Sequence, residues 1–524
     1  VPPEQPAGWY QGQISLLEDG KAVATAQLKV RVRAFALPAQ PFLHNHLSGR
    51  PNKDYQQLDP RSWEEVTADF NQIRASLRIY DTMAPLPIKP ECQIQDGVLT
   101  ITDWTKFDAS VELLRSQYGV RASRFPFSLL GDNSGWFHEP PQFLKHELFT
   151  GDRPGLRYLA EYCRQFDQHV RERFPGYPFV VHMYDEPPQK VLAEVKLLFQ
   201  TIKESAPSLI MTTTKAVAEG FDFVDRWIVP LSPGHHQPEL EQAARAAGKE
   251  IWFYNWSGYL GAHNYINNRI FPWMTYLAQG TGTLLWNSMH TPPGVNPWTG
   301  LEKTYGGGAA TILYPPRQPG EGILLSLRAM QRREATDDFD YFCLLENQIN
   351  RLFPGVGRRR VTEILGELFS KPPFEFSKDA NLLYALRNRV GDEIEALAQQ
   401  PAAVVVSQPP ENALTEQNQI SFTAYGPSGA TVSLEGRVQG QIGSDGRLQF
   451  NCQLPHLGRN VLSLSVSQDG REVQFQRTYS LQEDPQLAEL RTLLAQAEEK
   501  QLDTTAAKNF LAAVGGNKPY GEAQ

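Results

Sequence analysis

A chain of 524 residues is about three to four times a typical domain, so more than one domain is expected, with room for a large core. Hydrophobic residues at 41% and aromatics at 11% exclude global disorder. The 50 Lys and Arg against 58 Asp and Glu leave a net charge of −8 without the clustered positive charge that a nucleic acid or an anionic membrane needs, so neither is expected as a partner.

The longest apolar runs are strand-length, well short of the roughly 20 residues of a membrane span. Cys92, Cys163, Cys343 and Cys452 form no CxxC pair, which argues against a disulfide scaffold, a thioredoxin-like centre or a zinc site. The sequence opens at Val1 with no basic n-region and no apolar h-region. Either a leader has been removed, compatible with an extracellular or periplasmic place, or the sequence begins inside a longer protein.

Taken in chain order, residues 1–37 read as strands around an Asp19-Gly20 hairpin signal, with Ile14, Leu16, Val30 and Val32 alternating with polar neighbours. Two or three strands cannot bury a sheet face by themselves, so these must pack elsewhere in the chain or belong to a larger sheet. Residues 38–398 alternate strand-like runs with amphipathic stretches. The strands are expected at 42–46, 76–82, 121–130, 178–185, 209–214, 226–231, 251–256 and 283–288. Eight such strands with intervening helices predict an α/β fold, a (β/α)8 TIM-like barrel. A doubly wound sheet is the alternative, weakened because no GxGxxG follows the first strand. Gly306-Gly307-Gly308 lacks the Lys-Ser/Thr of a P-loop and reads as a turn. Residues 399–482 carry short alternating strands with Asp445-Gly446 and Asp469-Gly470 turns, the pattern of a small C-terminal β-sandwich. Residues 483–524 read as a helical tail with Leu487, Leu490, Leu493 and Leu494 on one face.

In such a barrel the chemistry lies at the C-terminal strand ends. The fourth strand ends Tyr184-Asp185-Glu186-Pro187. Alternation points Tyr184 and Glu186 inward, and a twist or bulge before Pro187 would bring Asp185 to the same pocket. Strands seven and eight end in Trp252, Tyr254, Asn255 and Trp256, then Trp286, Asn287 and His290. Aromatic faces beside amides and hydroxyls suit a sugar ring, whose C–H groups stack on indole while its hydroxyls take directional partners.

Glycosidic cleavage ordinarily uses two carboxyl groups across the scissile bond. Strand four supplies Glu186, but strands six and seven end without an acid; Asp81 and Asp132 are the remaining candidates. A substrate that brings its own nucleophile removes the need for the second group. The carbonyl oxygen of a 2-acetamido substituent attacks the anomeric carbon, while one carboxyl acts as acid/base and an adjacent one orients the amide. Burial among Tyr184 and the tryptophans should raise the pKa of Glu186. His182 reads as an interior hydrogen-bonding residue. His44, His46, His235 and His236 lack an acid companion, so no metal and no cofactor are expected.

Asp185-Glu186-Pro187, the segments 251–256, 269–273, 282–286 and 310–315, then Ser326 to Arg328, Arg333 and Asp338 to Tyr341, follow in order the blocks of glycoside hydrolase family 123 and the related domain of unknown function 4091. The resemblance runs from about Ala7 to Leu345. It implies a (β/α)8 barrel with a preceding β-sandwich and an exo-acting, retaining β-N-acetylgalactosaminidase. Its substrate would be a glycan or glycoconjugate with terminal β-linked N-acetylgalactosamine. By that resemblance Glu186 is the general acid/base, Asp185 orients the acetamide, Trp286 contacts the sugar, and Arg328, Arg333 and Asp338 form a structural block. Tyr184, Tyr254, Asn255, Trp256 and Asn287 are further candidates for substrate binding. The family's Gly-Asp-Gly is replaced by the segment 306–311, and Ala335 stands where a glycine is usual. A glycosidase for β-GlcNAc or a non-acetamido sugar, and a non-catalytic carbohydrate-binding protein, stay as alternatives.

Overall fold

The computed structural model describes residues 4–47, 49, 59–81, 88–126, 154–187, 192–254, 266–290, 295–301, 308, 311–318, 321–398, 401–416, 418–482, 485–500, 504, 505, 507 and 508. The side chains of residues 154, 183–185, 485–488, 491 and 498 lie outside this description. The chain divides into two compact units, Leu37–Asp340 and a second made of Val1–Ala36 with Tyr341–Gln524.

The second unit begins with β1 (Gly8–Glu18) and β2 (Lys21–Val32), an antiparallel hairpin turned at Asp19 and Gly20, both at positive φ as the Asp-Gly signal requires. Register places Tyr10, Ile14 and Leu16 of β1 on the same face as Leu28 of β2, and all four are exposed. Val30 and Val32, on the same face near the base of the hairpin, are half-buried, so the expected packing is confined to that end. What anchors the hairpin is charge: Arg31 and Arg33 pair with Asp392 and Glu395 on the helix Ala380–Ala396.

In the unit Leu37–Asp340, seven parallel strands form one curled sheet. They are β3 (His44–Leu47), β6 (Ser123–Arg124), β7 (Phe179–Asp185), β8 (Ile210–Thr214), β9 (Arg226–Pro230), β10 (Glu250–Tyr254) and β11 (Gly282–Leu285). Their order is β3-β11-β10-β9-β8-β7-β6. The strand expected at 76–82 is reduced to Asp81, which makes isolated parallel bridges to His46 and to Ala122. The strand expected at 121–130 pairs only through Ser123 and Arg124, and residues 127–130 lie outside the described part. β4 (Glu91–Gln95) and β5 (Val98–Asp103) add a hairpin that was not expected, although its turn, Asp96-Gly97, carries the same signal as Asp19-Gly20.

The strands are buried on both faces, as helix-covered parallel strands should be: Val180, Val181, Met211, Trp227, Ile228, Val229, Ile251, Trp252 and Phe253 are all buried. The helix Leu192–Ser205 covers them with Val195, Leu198, Phe199 and Ile202, spaced for one helical face. The helix Trp63–Ser76 starts on a capping box, in which the Ser62 hydroxyl accepts from the Glu65 N–H while the Glu65 carboxylate accepts from the Ser62 N–H.

Gly282 pairs in register with Trp252, and a Cβ there would lie 2.5 Å from the indole ring. Glycine is thus what lets Trp252 lie against the neighbouring strand. Gly282→Ala should cost about 1–3 kcal/mol of stability by overpacking, read as a lower urea midpoint at unchanged slope.

In the other unit, a three-stranded sheet (Val404–Gln408, Gln419–Tyr425, Arg447–Gln453) and a five-stranded sheet centred on Gly458–Gln468 and Arg471–Leu481 share a core that includes Val405, Phe422, Val432, Leu464 and Tyr479. Arg360, fully buried, is neutralised by Glu363, Glu393 and Glu411. Burial alone would lower its pKa, but these three carboxylates outweigh that and hold it above its ordinary value. The helix Pro485–Glu499 forms, with Leu493 of its leucine face exposed. Among the described residues no helix is long and apolar enough to cross a membrane.

Candidate active site

The C-terminal end of β7 is irregular in a way that aims one carboxylate. Val180, Val181 and His182 pair with Ile210, Met211 and Thr212, but Asp185 then pairs with Thr214, so three steps on β7 oppose two on β8. This bulge is the device expected before Pro187. Glu186 follows with φ +48, the left-handed region that costs a non-glycine residue about 1–2 kcal/mol. Its N–H is held by Thr214, 3.1 Å from the carbonyl oxygen and 2.9 Å from Oγ1, which fixes the turn against that strain.

The Glu186 carboxylate accepts a hydrogen bond from the Tyr254 hydroxyl at the end of β10. Both residues line a cavity of about 530 Å³ together with Thr214, Lys215, Ser232 and His235. Glu186 is exposed there, so the burial expected of it is not observed. The bulge and the left-handed turn lift it out of the sheet to the cavity wall instead of folding it inward. Asp185 ends β7, but its side chain and that of Tyr184 lie outside the described residues, as do Asp132, Asn255 and Trp256 entirely.

Trp286 is half-buried and packs with Tyr254 on Ile228, Trp252 and Leu284. Its ring centroid lies 5.3 Å from that of His290. The Asn287 side-chain oxygen Oδ1 accepts from the Met289 N–H at 3.0 Å, so that atom shapes the turn after β11. Trp252, expected among the aromatics of the mouth, is instead fully buried. It stacks on His44 with centroids 5.3 Å apart, lies 4.0 Å beneath the Arg226 guanidinium and donates to Glu250. Its place in the middle of β10, two residues before the strand end, accounts for the difference.

Several interior polar groups are held by one another. Asp81 accepts from the Arg121 guanidinium at 2.6 Å and lies 2.9 Å from His44 Nδ1. Burial would raise its pKa, but these partners hold it well below the usual carboxylate range, which fits a structural anion rather than a proton donor. His182 bonds Thr212 at 3.0 Å, and burial, helped by Arg124 and His46, pushes it down to about 3. His46 is likewise pushed down to about 3 by burial and by Arg74. Both imidazoles stay neutral at ordinary pH, which makes His182 the interior hydrogen-bonding residue it was read as. The remaining histidines bond Ser232 (His235) and Glu241 (His236), and among the described residues no three potential metal ligands converge.

The three residues expected as a structural block have separate partners: Asp338 is fully buried and accepts from Arg269 at 2.8 and 3.0 Å and from the Trp273 indole at 3.0 Å. Arg328 donates to the carbonyls of Gly308 and Thr311, and Arg333 to that of Ser76. Lys215 and Ser232 were not among the expected site residues, and His235 was weighed only as a metal ligand, because the strand ends were read for carboxylates and aromatics.

A curled parallel α/β sheet with a positioned carboxylate and aromatics at its strand ends is the framework of a glycoside hydrolase. The comparisons agree: residues 94–345 match the model for the Glycoside hydrolase 123, catalytic domain. Among solved structures it is similar to a family 123 glycoside hydrolase from Clostridium perfringens, described for glycolipid glycan hydrolysis, at 13% identity and TM-score 0.54, covering 76% of this chain and 77% of that one. A family 39 glycoside hydrolase from Bacteroides cellulosilyticus aligns at 11% identity and TM-score 0.32, covering 85% and 86%. The endo-beta-1,4-mannanase from Thermotoga petrophila aligns at 10% and 0.30, covering 85% and 98%. The first likeness is one of fold. No curated protein matches.

Proposed function

We propose that this glycoside hydrolase removes terminal β-linked N-acetylgalactosamine from a glycan or glycoconjugate, acting from the chain end with retention of configuration through an oxazolinium intermediate. The observation that carries the reading is Glu186, held at the cavity wall by a bulge and by Tyr254, with no second carboxylate lining that cavity among the described residues. Protonated Glu186 gives its proton to the glycosidic oxygen as the substrate's acetamide oxygen closes on the anomeric carbon. The resulting Glu186 carboxylate, accepting from Tyr254, then takes a proton from the water that reopens the ring. Asp185, next in sequence, orients the amide N–H and offsets the charge it gains. Trp286, Tyr184, Asn255, Trp256 and Asn287 complete the sugar site in this reading.

The same proposal treats the curled sheet as a (β/α)8 barrel closed through the Asp81 bridges, and the two sheets of residues 404–481 as a β-sandwich. A comparison of aryl β-glycosides of N-acetylgalactosamine, N-acetylglucosamine and galactose tests the chemistry. Turnover of the galactoside at a rate matching the N-acetylgalactosaminide would remove the acetamide from the mechanism. Asp185→Asn should lower kcat about 100- to 1,000-fold, the range for losing one charge-stabilising partner. It should also weaken an oxazoline-mimicking thiazoline inhibitor, and failure of wild type to bind that inhibitor would sink the substrate-assisted route.

A further inference from the structure

The cavity beside Glu186 has a charged group that proton transfer does not use. Lys215 follows directly on Thr214, the residue that holds the Glu186 backbone, and its own N–H is still bonded to the Ile228 carbonyl of β9. Its side chain therefore leaves the sheet at the mouth, one strand over from Glu186, and neighbouring strands lie only about 4.8 Å apart. Lys215 is half-buried and lines the cavity. Its ammonium makes no hydrogen bond or ion pair with any described residue.

Two other lysines of this unit, Lys203 on the helix Leu192–Ser205 and Lys249 just before β10, are neutralised differently. Lys203 is 2.7 Å from the Asp225 carboxylate, and Lys249 is 4.0 Å from it while also donating to the Asp222 carbonyl. A partly desolvated ammonium without a counterion is costly unless a ligand supplies one. Ser232 and His235, bonded to each other at 2.9 Å, line the same cavity and add polar groups beside that cation. Glu186, the one carboxylate of the lining among the described residues, is already taken up by Tyr254.

We propose that Lys215 selects sugars bearing an anionic substituent, a sulfate ester or a carboxylate, whose charge it meets while the glycosidic oxygen sits at Glu186. This rests on the reading of the cavity as the sugar site of a glycoside hydrolase. Lys215 is a specificity residue: it touches the substituent and takes no part in bond breaking.

The test is calorimetric titration of the full chain with N-acetylgalactosamine, its 4-sulfate, its 6-sulfate and the corresponding 6-carboxylate, run beside turnover of the neutral aryl N-acetylgalactosaminide. Wild type should bind at least one anionic sugar tenfold or more tightly than the neutral one, and the preference should shrink as salt shortens the screening length from about 30 Å at 0.01 M to about 3 Å at 1 M. The sulfate and carboxylate arms separate the two sources of charge. Lys215→Met should erase the preference and Lys215→Arg should keep it, with melting temperatures confirming that both variants fold. Equal affinity for neutral and anionic sugars in wild type, no binding of any of the four, or a preference that survives Lys215→Met overturns the proposal. Turnover without anionic preference defeats the subsite and spares the hydrolase reading. Anionic preference without turnover does the reverse.

Discussion

Glu186→Gln is expected to lower kcat/KM about 100- to 10,000-fold for an N-acetylgalactosaminide whose leaving group needs protonation, the range that a positioned general acid supplies. The amide keeps the size and can keep the hydrogen bond from Tyr254, so the site geometry should persist while the transferable proton is gone. The loss should therefore fall on kcat more than on KM. Activated aryl leaving groups, which depart without help, should lose far less in the first step and reveal slowed opening of the intermediate instead. The limb of the pH profile that reports the acid should vanish with it. An undiminished rate on the poor leaving group would take Glu186 out of the reaction.

Asp338→Asn should destabilise the unit Leu37–Asp340 by about 3–5 kcal/mol, the cost of breaking a buried ion pair and leaving its partner charged. Asp338 is fully buried and receives both the fork of Arg269 and the Trp273 indole, tying the helix Ile266–Leu277 to Leu327–Leu352. An asparagine can satisfy one donor but cannot neutralise the guanidinium. Since whole domains are stable by only about 5–15 kcal/mol, the loss should be plain in urea unfolding followed by tryptophan fluorescence. Pairing Arg269→Met with Asp338→Leu should recover much of it, because the isolated charge, rather than the missing bond, is the larger penalty. A loss below about 1 kcal/mol, within the range of an exposed pair, would show that Arg269 finds water or another anion when Asp338 is neutral.

The strands β7, β9, β10 and β11 were legible because each is a short, largely apolar run, the pattern that burial on both faces makes. Tyr184-Asp185-Glu186-Pro187 was legible for a related reason: proline stops the ladder just where two acids stand, and β7 ends there. The strand expected at 76–82 was drawn too long, because among the described residues only Asp81 makes bridges, one on either side, while its side chain is engaged by His44 and Arg121. No periodicity records a strand one residue long. Trp252 was misplaced because alternation says which face a residue takes but not how far along the strand the mouth begins. Lys215 escaped because a lone lysine at a strand end looks like any solvated lysine; its standing comes from what does not surround it, and that is a property of the folded chain.

The left-handed backbone at Glu186 bears on how this protein can change over time. Glycine would sit at φ +48 without strain, and a stability screen blind to activity should favour Glu186→Gly. The amino acid present is one that the local backbone resists and that the proposed chemistry requires. Selection for robustness and selection for turnover therefore pull this codon in opposite directions, and random drift in a lineage that no longer uses the activity would be expected to show first at this position.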